Sequence, residues 1–200
     1  MLSKPLGEYN IINQRIKREK VKIGPGTWLT GDDSKVIFWE SLPNSNEISD
    51  LIIGKYCSIS NNCNFFLGGN HRSDWFSQHL LGGKSETLGD EIISKGDIII
   101  GNDVWIGYGA TILSGTNIPD GCIVGAMSVV SGHFEPYDII IGNPCKAIKK
   151  RFDKEVIDIL LDLKWWDLTT EEINKYSSVL KSSDLNNLKD VLNYIRSDKN

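Results

Sequence analysis

The chain has 200 residues, 40% of them apolar and 24% charged, which are the proportions of a folded globular protein and exclude a disordered chain. A formal net charge of -4 gives no reason to expect nucleic acid or an anionic membrane as a partner. No apolar run is long enough to span a membrane, and MLSKPLGEYNIINQRIKREK lacks the continuous apolar core of a secretory signal, so a cytoplasmic protein without membrane insertion is expected.

Residues 1–20 are polar and basic, and IKREK reads as a solvated turn of helix or an arm. Ile23-Gly24 and Leu29 are plausible first rungs of a repeat, with Trp28 flanking them. Lys35–Glu40 (KVIFWE) predicts a strand, and the Pro- and Asn-bearing stretch SLPNSNEISD a loop. Ile53, Ile59 and Phe65 then recur every sixth residue. After a gap of about thirty residues the spacing returns with Ile100, Ile106, Ile112, Ile118, Val124 and Val130. A modest residue follows four places after each aliphatic: Val104, Ala110, Thr116, Cys122 and Ser128. Neither a helical period of 3.6 nor a strand period of 2 generates this spacing. A fixed six-residue period is the mark of a parallel β-helix, in which one aliphatic per short strand points into the coil. The small residue beside it is expected to let the chain turn a corner.

The interruption, from Leu67 to about Gly96, reads LGGNHRSDWFSQHLLGGKSETLGDEIISKG. A solenoid accepts an insertion because each coil touches only its neighbours, and such insertions cluster on a binding face. Trp75, Phe76, Leu80 and Leu81 are expected to seek burial, which argues against a disordered excursion. After Val130 the register loosens through SGHFEPYD and is expected to resume at Ile141-Gly142. Cys57, Cys63, Cys122 and Cys145 then all fall in the small-residue slot, and none forms the C-x-x-C of a zinc knuckle. Buried reduced thiols are the expectation. Asp153–Trp166 predicts an amphipathic helix with Asp153 near its N-cap, and Thr169 or Thr170 can cap a second helix. A third runs from about Asp184 to Arg196. The expected organisation is a β-helix over 1–152 carrying an inserted loop at 67–96, followed by a helical cap over 153–200.

Three histidines are available for chemistry: His71, His79 and His133. His71 lies in GGNHRSD beside a glycine pair, where an imidazole can act as a general base near neutral pH. Asn70, Arg72, Asp74 and Trp75 surround it with a cation, a carboxylate and an aromatic wall. A three-histidine metal site is the competing reading of the same residues, and their spacing neither supports nor excludes it. The basic run Lys146, Lys149, Lys150 and Arg151 is either a solvated edge or a phosphate-binding one.

The segments IGKYCSISNN (53–62), GGNHRSDW (68–75), GDIIIGNDVWIGYGATILSG (96–115), IPDGCIVGAMSVV (118–130), IIIGNPCKAIKKRF (139–152) and KWWD (164–167) together resemble the xenobiotic acetyltransferase branch of the hexapeptide-repeat acyltransferases. The resemblance implies a mainly β fold, a left-handed parallel β-helix with a long inserted loop and a C-terminal helical cap, assembled as a homotrimer. It implies active sites between subunits, acetyl-CoA as co-substrate and no metal. His71 would take the proton from the acceptor, and a backbone N–H near Gly107 would hold the oxyanion. Trp105 would wall the acetyl end of the pantetheine, and Gly125 and Ala126 would leave room for its arm. Lys146, Lys150 and Arg151 would meet the nucleotide phosphates. Asn70, Arg72, Asp74 and Trp75 would face the acceptor or brace the loop.

After Asp74-Trp75 the chain reads FSQHLLGG, not the Ser/Thr-aromatic-Pro-Phe run common in that branch, so the acceptor pocket is expected to differ. The reading placed first is acetyl transfer to a hydroxyl or amine of a sugar, as in a surface-polysaccharide precursor. Acetylation of a small-molecule antibiotic, a streptogramin or chloramphenicol, stands second. A zinc hydratase and a non-catalytic scaffold stand further back.

Overall fold

The computed structural model describes residues 4–5, 20–31, 33–37, 49–78 and 92–198. They fall into two compact units, Met1–Lys149 and Lys150–Asn200.

The first unit is built from three sheets, each stacking parallel strands, most of them of two or three residues, from successive turns of the chain; one sheet also takes Lys4–Pro5 antiparallel at one edge and Cys145–Lys150 at the other. One sheet aligns Val21–Ile23, Leu51–Ile53, Ile98–Ile100 and Asn117–Ile118. The next aligns Trp28–Leu29, Ser58–Ile59, Trp105–Ile106, Ile123–Val124 and Asp138–Gly142. The last aligns Lys35–Ile37, Asn64–Phe66, Thr111–Leu113 and Val129–Val130. This is the β-helix the six-residue period predicts. Every periodic aliphatic from Ile100 to Val130 is at most 1% exposed, and each sits directly over its counterpart in the next turn, as Ile53, Ile100 and Ile118 do. Val104, Ala110, Thr116, Cys122 and Ser128 fill the space between the aliphatic columns, all buried.

The corners are made one place earlier than expected. Tyr56, Asn62, Asp103, Gly109, Gly115, Gly121 and Met127 have left-handed φ angles, and each lies three residues after an inward aliphatic. The residue four places on is small because it points inward just after the bend, not because it makes the bend. Left-handed backbone suits glycine and tolerates Asn and Asp, which explains part of this set.

The register after Val130 also differs from expectation. Ile140, not Ile141, continues the column, since Val124 pairs with Ile140 and Ile141 is 42% exposed. The segment 131–137 takes a shorter path with a single bridge from Asn117 to His133, so the six-residue count fails there. Cys57, Cys63 and Cys122 are buried and Cys145 half-buried, and all are free thiols. Of the strand expected at Lys35–Glu40, Lys35–Ile37 is present and the rest lies outside the described residues.

The second unit holds three helices. Helix α1 (Lys154–Leu163) follows Asp153 at the N-cap, whose side chain makes no capping bond. It stops three residues before the expected Trp166, because Lys164 turns left-handed and Trp165–Asp167 form a 3-10 turn. Helix α2 (Thr170–Leu180) begins with a capping box: Thr169 Oγ1 accepts from Glu172 N, and Glu172 Oε2 accepts from Thr169 N at 2.7 Å. Helix α3 (Leu185–Asp198) completes an apolar cluster around Leu163, Leu168, Tyr176, Leu192 and Ile195. No helix among the described residues is long and apolar enough to cross a membrane.

Candidate active site

Ile59 pairs directly with Ile106, so the inserted loop leaves the coil after Leu67 and returns at the very next strand of the stack. Its two ends are drawn together by a two-residue antiparallel ladder, Asn70–His71 against Ile92–Ile93. Side chains alternate along a strand, so Asn70 and His71 face opposite ways. Asn70 faces the coil, where its Nδ2 donates to Ser114 Oγ at 3.1 Å and to Ile93 O at 3.4 Å. His71 faces out and is exposed.

Beyond His71 the loop bonds to itself. Arg72 grips Asp74 through Nε at 2.9 Å and a second guanidinium nitrogen at 2.6 Å, and lies 5.6 Å from the centre of the Trp75 ring. Gln78 Nε2 donates to Arg72 O at 2.9 Å. The Arg72 guanidinium holds the Asp74 carboxyl down at about 2, against an ordinary 3.8. Burial of the loop aromatics is not what the structure shows: Trp75 is 40% exposed and Phe76 entirely so. His79, Leu80, Leu81 and the second glycine pair lie outside the described residues.

The residues expected to meet acetyl-CoA are spread along the coil and its end. Trp105 is 52% exposed on the outer face of its sheet, between Ser58 and Ile123. The N–H of Gly107 itself is engaged in the sheet, where it donates to Val124 O at 2.8 Å. A β-carbon there would lie 2.6 Å from Ala126 N, so glycine is required for the coils to stack. A Gly after the inward aliphatic here marks close stacking. Gly125 donates to Ile140 O at 2.8 Å and faces the Ile141 side chain, while Ala126 is exposed. In the first unit Lys146 is exposed; in the second Lys150 is exposed, and Arg151 lies 5.0 Å from the centre of the Phe152 ring.

Sequence reasoning missed the residues at the neck of the loop. Ser94 Oγ donates to Leu67 O at 2.9 Å and lies 2.6 Å from Ser49 Oγ. Ser114, only 4% exposed, accepts from both Asn70 and Lys95 N, the latter at 3.3 Å. No periodic signal distinguishes these serines from ordinary polar positions. Among the described residues no group of three or more His, Cys, Asp or Glu is placed to hold a metal ion. His133 is exposed at the Asn117 bridge.

No family model matches the chain. A chloramphenicol acetyltransferase of Escherichia coli is 35% identical over 192 residues, covering 89% of this chain and 90% of its own. A virginiamycin A acetyltransferase of Staphylococcus aureus is 37% identical over 185 residues, covering 89% of this chain and 84% of its own. Among solved structures, a hexapeptide-repeat acetyltransferase of Vibrio cholerae superposes with a TM-score of 0.53 at 23% identity, over 68% of this chain and 65% of that one. At that identity the likeness concerns the fold, which is the left-handed parallel β-helix.

Proposed function

Because the chain belongs to the xenobiotic acetyltransferase branch of the hexapeptide-repeat acyltransferases, we propose that it moves the acetyl group of acetyl-CoA to a hydroxyl of a small antibiotic-type acceptor such as chloramphenicol or a streptogramin. The observation that carries this reading is the length of the likeness: about nine-tenths of both chains align with the chloramphenicol acetyltransferase of Escherichia coli. It reverses the order reached from the sequence, where the sugar acceptor came first. The described outgoing limb of the loop agrees with it. Arg72 and Asp74 neutralise each other, and Trp75 and Phe76 present apolar surface, which suits a largely apolar, uncharged acceptor better than a nucleotide-linked sugar.

In this reading His71 accepts the proton of the acceptor hydroxyl as that oxygen attacks the thioester carbonyl. The tetrahedral intermediate collapses with cleavage of the C–S bond, and the CoA thiolate leaves with the acetyl group now on oxygen. Trp105 and the open edge at Gly125 and Ala126 line the path of the pantetheine arm, and Lys146 is a cation for the CoA phosphates. Lys150 and Arg151 keep that role on the resemblance alone. A backbone N–H near the corner at Gly107, other than the bonded one of Gly107 itself, holds the oxyanion. His71 is exposed on one chain, whereas a base works best in a water-poor cleft, so we place the working site between copies of a homotrimer in the cytoplasm.

The test is CoA-thiol release from acetyl-CoA with chloramphenicol, a streptogramin and nucleotide-linked amino sugars as acceptors. Release is expected with an antibiotic and should fall roughly 10²–10⁴-fold in His71→Ala. Release with the sugars alone would restore the sugar reading, and full activity in His71→Ala would remove the base.

A further inference from the structure

We propose that Asn70 and Ser114 form a clasp that orients His71, which makes both of them positioning residues for the transfer. The proposal rests on His71 being the base. It assigns Asn70 to the brace and not to the acceptor, the choice the sequence left open.

The His71 strand is two residues long and, among the described residues, pairs only with Ile92–Ile93, too short a ladder to fix a side-chain direction alone. Orientation in such a strand is a parity question: whichever of Asn70 and His71 is anchored decides where the other points. Asn70 is the anchored one. Its amide reaches Ser114 Oγ at 3.1 Å, and Ser114 is part of the rigid coil, immediately after the Thr111–Leu113 strand.

Ser114 also ties the other end of the insertion. Its Oγ accepts from Lys95 N at 3.3 Å, so one hydroxyl meets the outgoing limb at Asn70 and the returning limb at Lys95. The neck is pressed hard against the coil at this point. Gly115 N donates to Gly96 O at 2.9 Å, and a β-carbon on Gly115 would lie 2.6 Å from Lys95 O. Ser114 is only 4% exposed, so on its side these bonds meet little competing water. A base on a long loop must be held to within a fraction of an ångström to be effective, and this clasp supplies the connection to the scaffold.

The experiment compares Asn70→Ala, Ser114→Ala and the double variant, each alone and combined with His71→Ala, under steady-state kinetics. Each single variant is expected to lower kcat roughly 10–100-fold with KM for acetyl-CoA within about twofold. Ser114→Thr, which keeps the hydroxyl, should stay within about fivefold of the parent and guards against a trivial folding defect. The double variant should lose no more than the worse single one, because both remove the same clasp. In the His71→Ala background neither change should lower the residual rate further. An unchanged kcat, losses that multiply in the double variant, or a further loss without His71 would overturn the proposal. A raised acceptor KM at constant kcat would instead make Asn70 an acceptor contact, and would also overturn it. Failure of the underlying base assignment shows separately, as full activity in His71→Ala alone.

Discussion

Substituting Gly107 and Gly125 separately distinguishes stacking from cofactor binding. A β-carbon at Gly107 would meet Ala126 N at 2.6 Å, Val124 O at 2.9 Å and Ala126 Cα at 3.0 Å, all backbone atoms of the adjoining turn. Ordinary contact needs about 3.5 Å, so the two strands must part by roughly 0.5–0.9 Å. The Gly107 N–Val124 O bond, now 2.8 Å, would stretch beyond hydrogen-bond range. Losing it costs roughly 0.5–1.5 kcal/mol, and the overpacking roughly 1–3 kcal/mol more, so Gly107→Ala should destabilise by about 2–4 kcal/mol. For a chain of this length that is a drop in Tm of roughly 5–15 °C at fixed protein concentration. At Gly125 the nearest atom is Ile141 Cγ1 at 2.9 Å, on a partly exposed side chain that can swing aside. Gly125→Ala should therefore change Tm by less than about 3 °C. If the pantetheine arm passes there, it should raise KM for acetyl-CoA instead. Differential scanning calorimetry with initial-rate kinetics reads both quantities. Equal Tm losses would refute the stacking argument, and a Gly107→Ala protein of parental Tm with abolished kcat would return Gly107 to the chemistry.

The Arg72–Asp74 pair should persist well into acid. Asp74 is held at about 2, below its ordinary 3.8, so the charged pair is present above the ordinary value and is lost as pH falls through about 2. A carboxyl-carbon NMR titration should find that midpoint, and in Arg72→Ala it should return to near the ordinary value. The thiols should differ in reactivity, since burial raises Cys57 and Cys63 to about 11 while Cys145 is half-buried. A thiol-specific reagent at pH 8 should label Cys145 first, and Cys57, Cys63 and Cys122 only on unfolding; fast labelling of Cys63 in the native protein would contradict its placement inside the coil. Thr169→Ala removes half of a capping box and should cost about 1 kcal/mol, read as an earlier loss of helical circular dichroism. No change would mean that α2 does not depend on this cap.

The coil was legible in the sequence because its physics is periodic. One inward aliphatic per strand, as at Ile100, Ile106 and Ile112, is a pattern that short-range counting detects. The same logic placed Cys57, Cys63 and Cys122 in the interior with no appeal to metal or disulfide chemistry. It failed where a contact depends on what stacks above. The role near Gly107 came from the resemblance, and local sequence does not show that Ala126 N lies 2.6 Å from where its β-carbon would be. The column restarts at Ile140 because the chain between Val130 and Asp138 cuts a corner, and a three-isoleucine run cannot reveal which member faces in. Helix α1 ends at Leu163 although the apolar spacing continues through Trp165, since Lys164 adopts a left-handed backbone that periodicity does not encode. At the candidate site, the company of His71 in the sequence is what marks it for the proposed role. Its tether has no such mark: Ser114 lies forty-four residues from Asn70, and nothing local marks the pair.

Ile59 and Ile106 remain adjacent rungs although the whole insertion lies between them. The scaffold is thus continuous across the excursion, whose described ends are tied to it at Ser114. Chemistry of the acceptor and endurance of the framework can drift under separate selection. On the proposed function, exchanging the segment between Leu67 and Gly96 with that of a relative amounts to a cassette replacement, in which the new guest is specified by the transplanted segment while the column of aliphatics beneath is inherited unchanged.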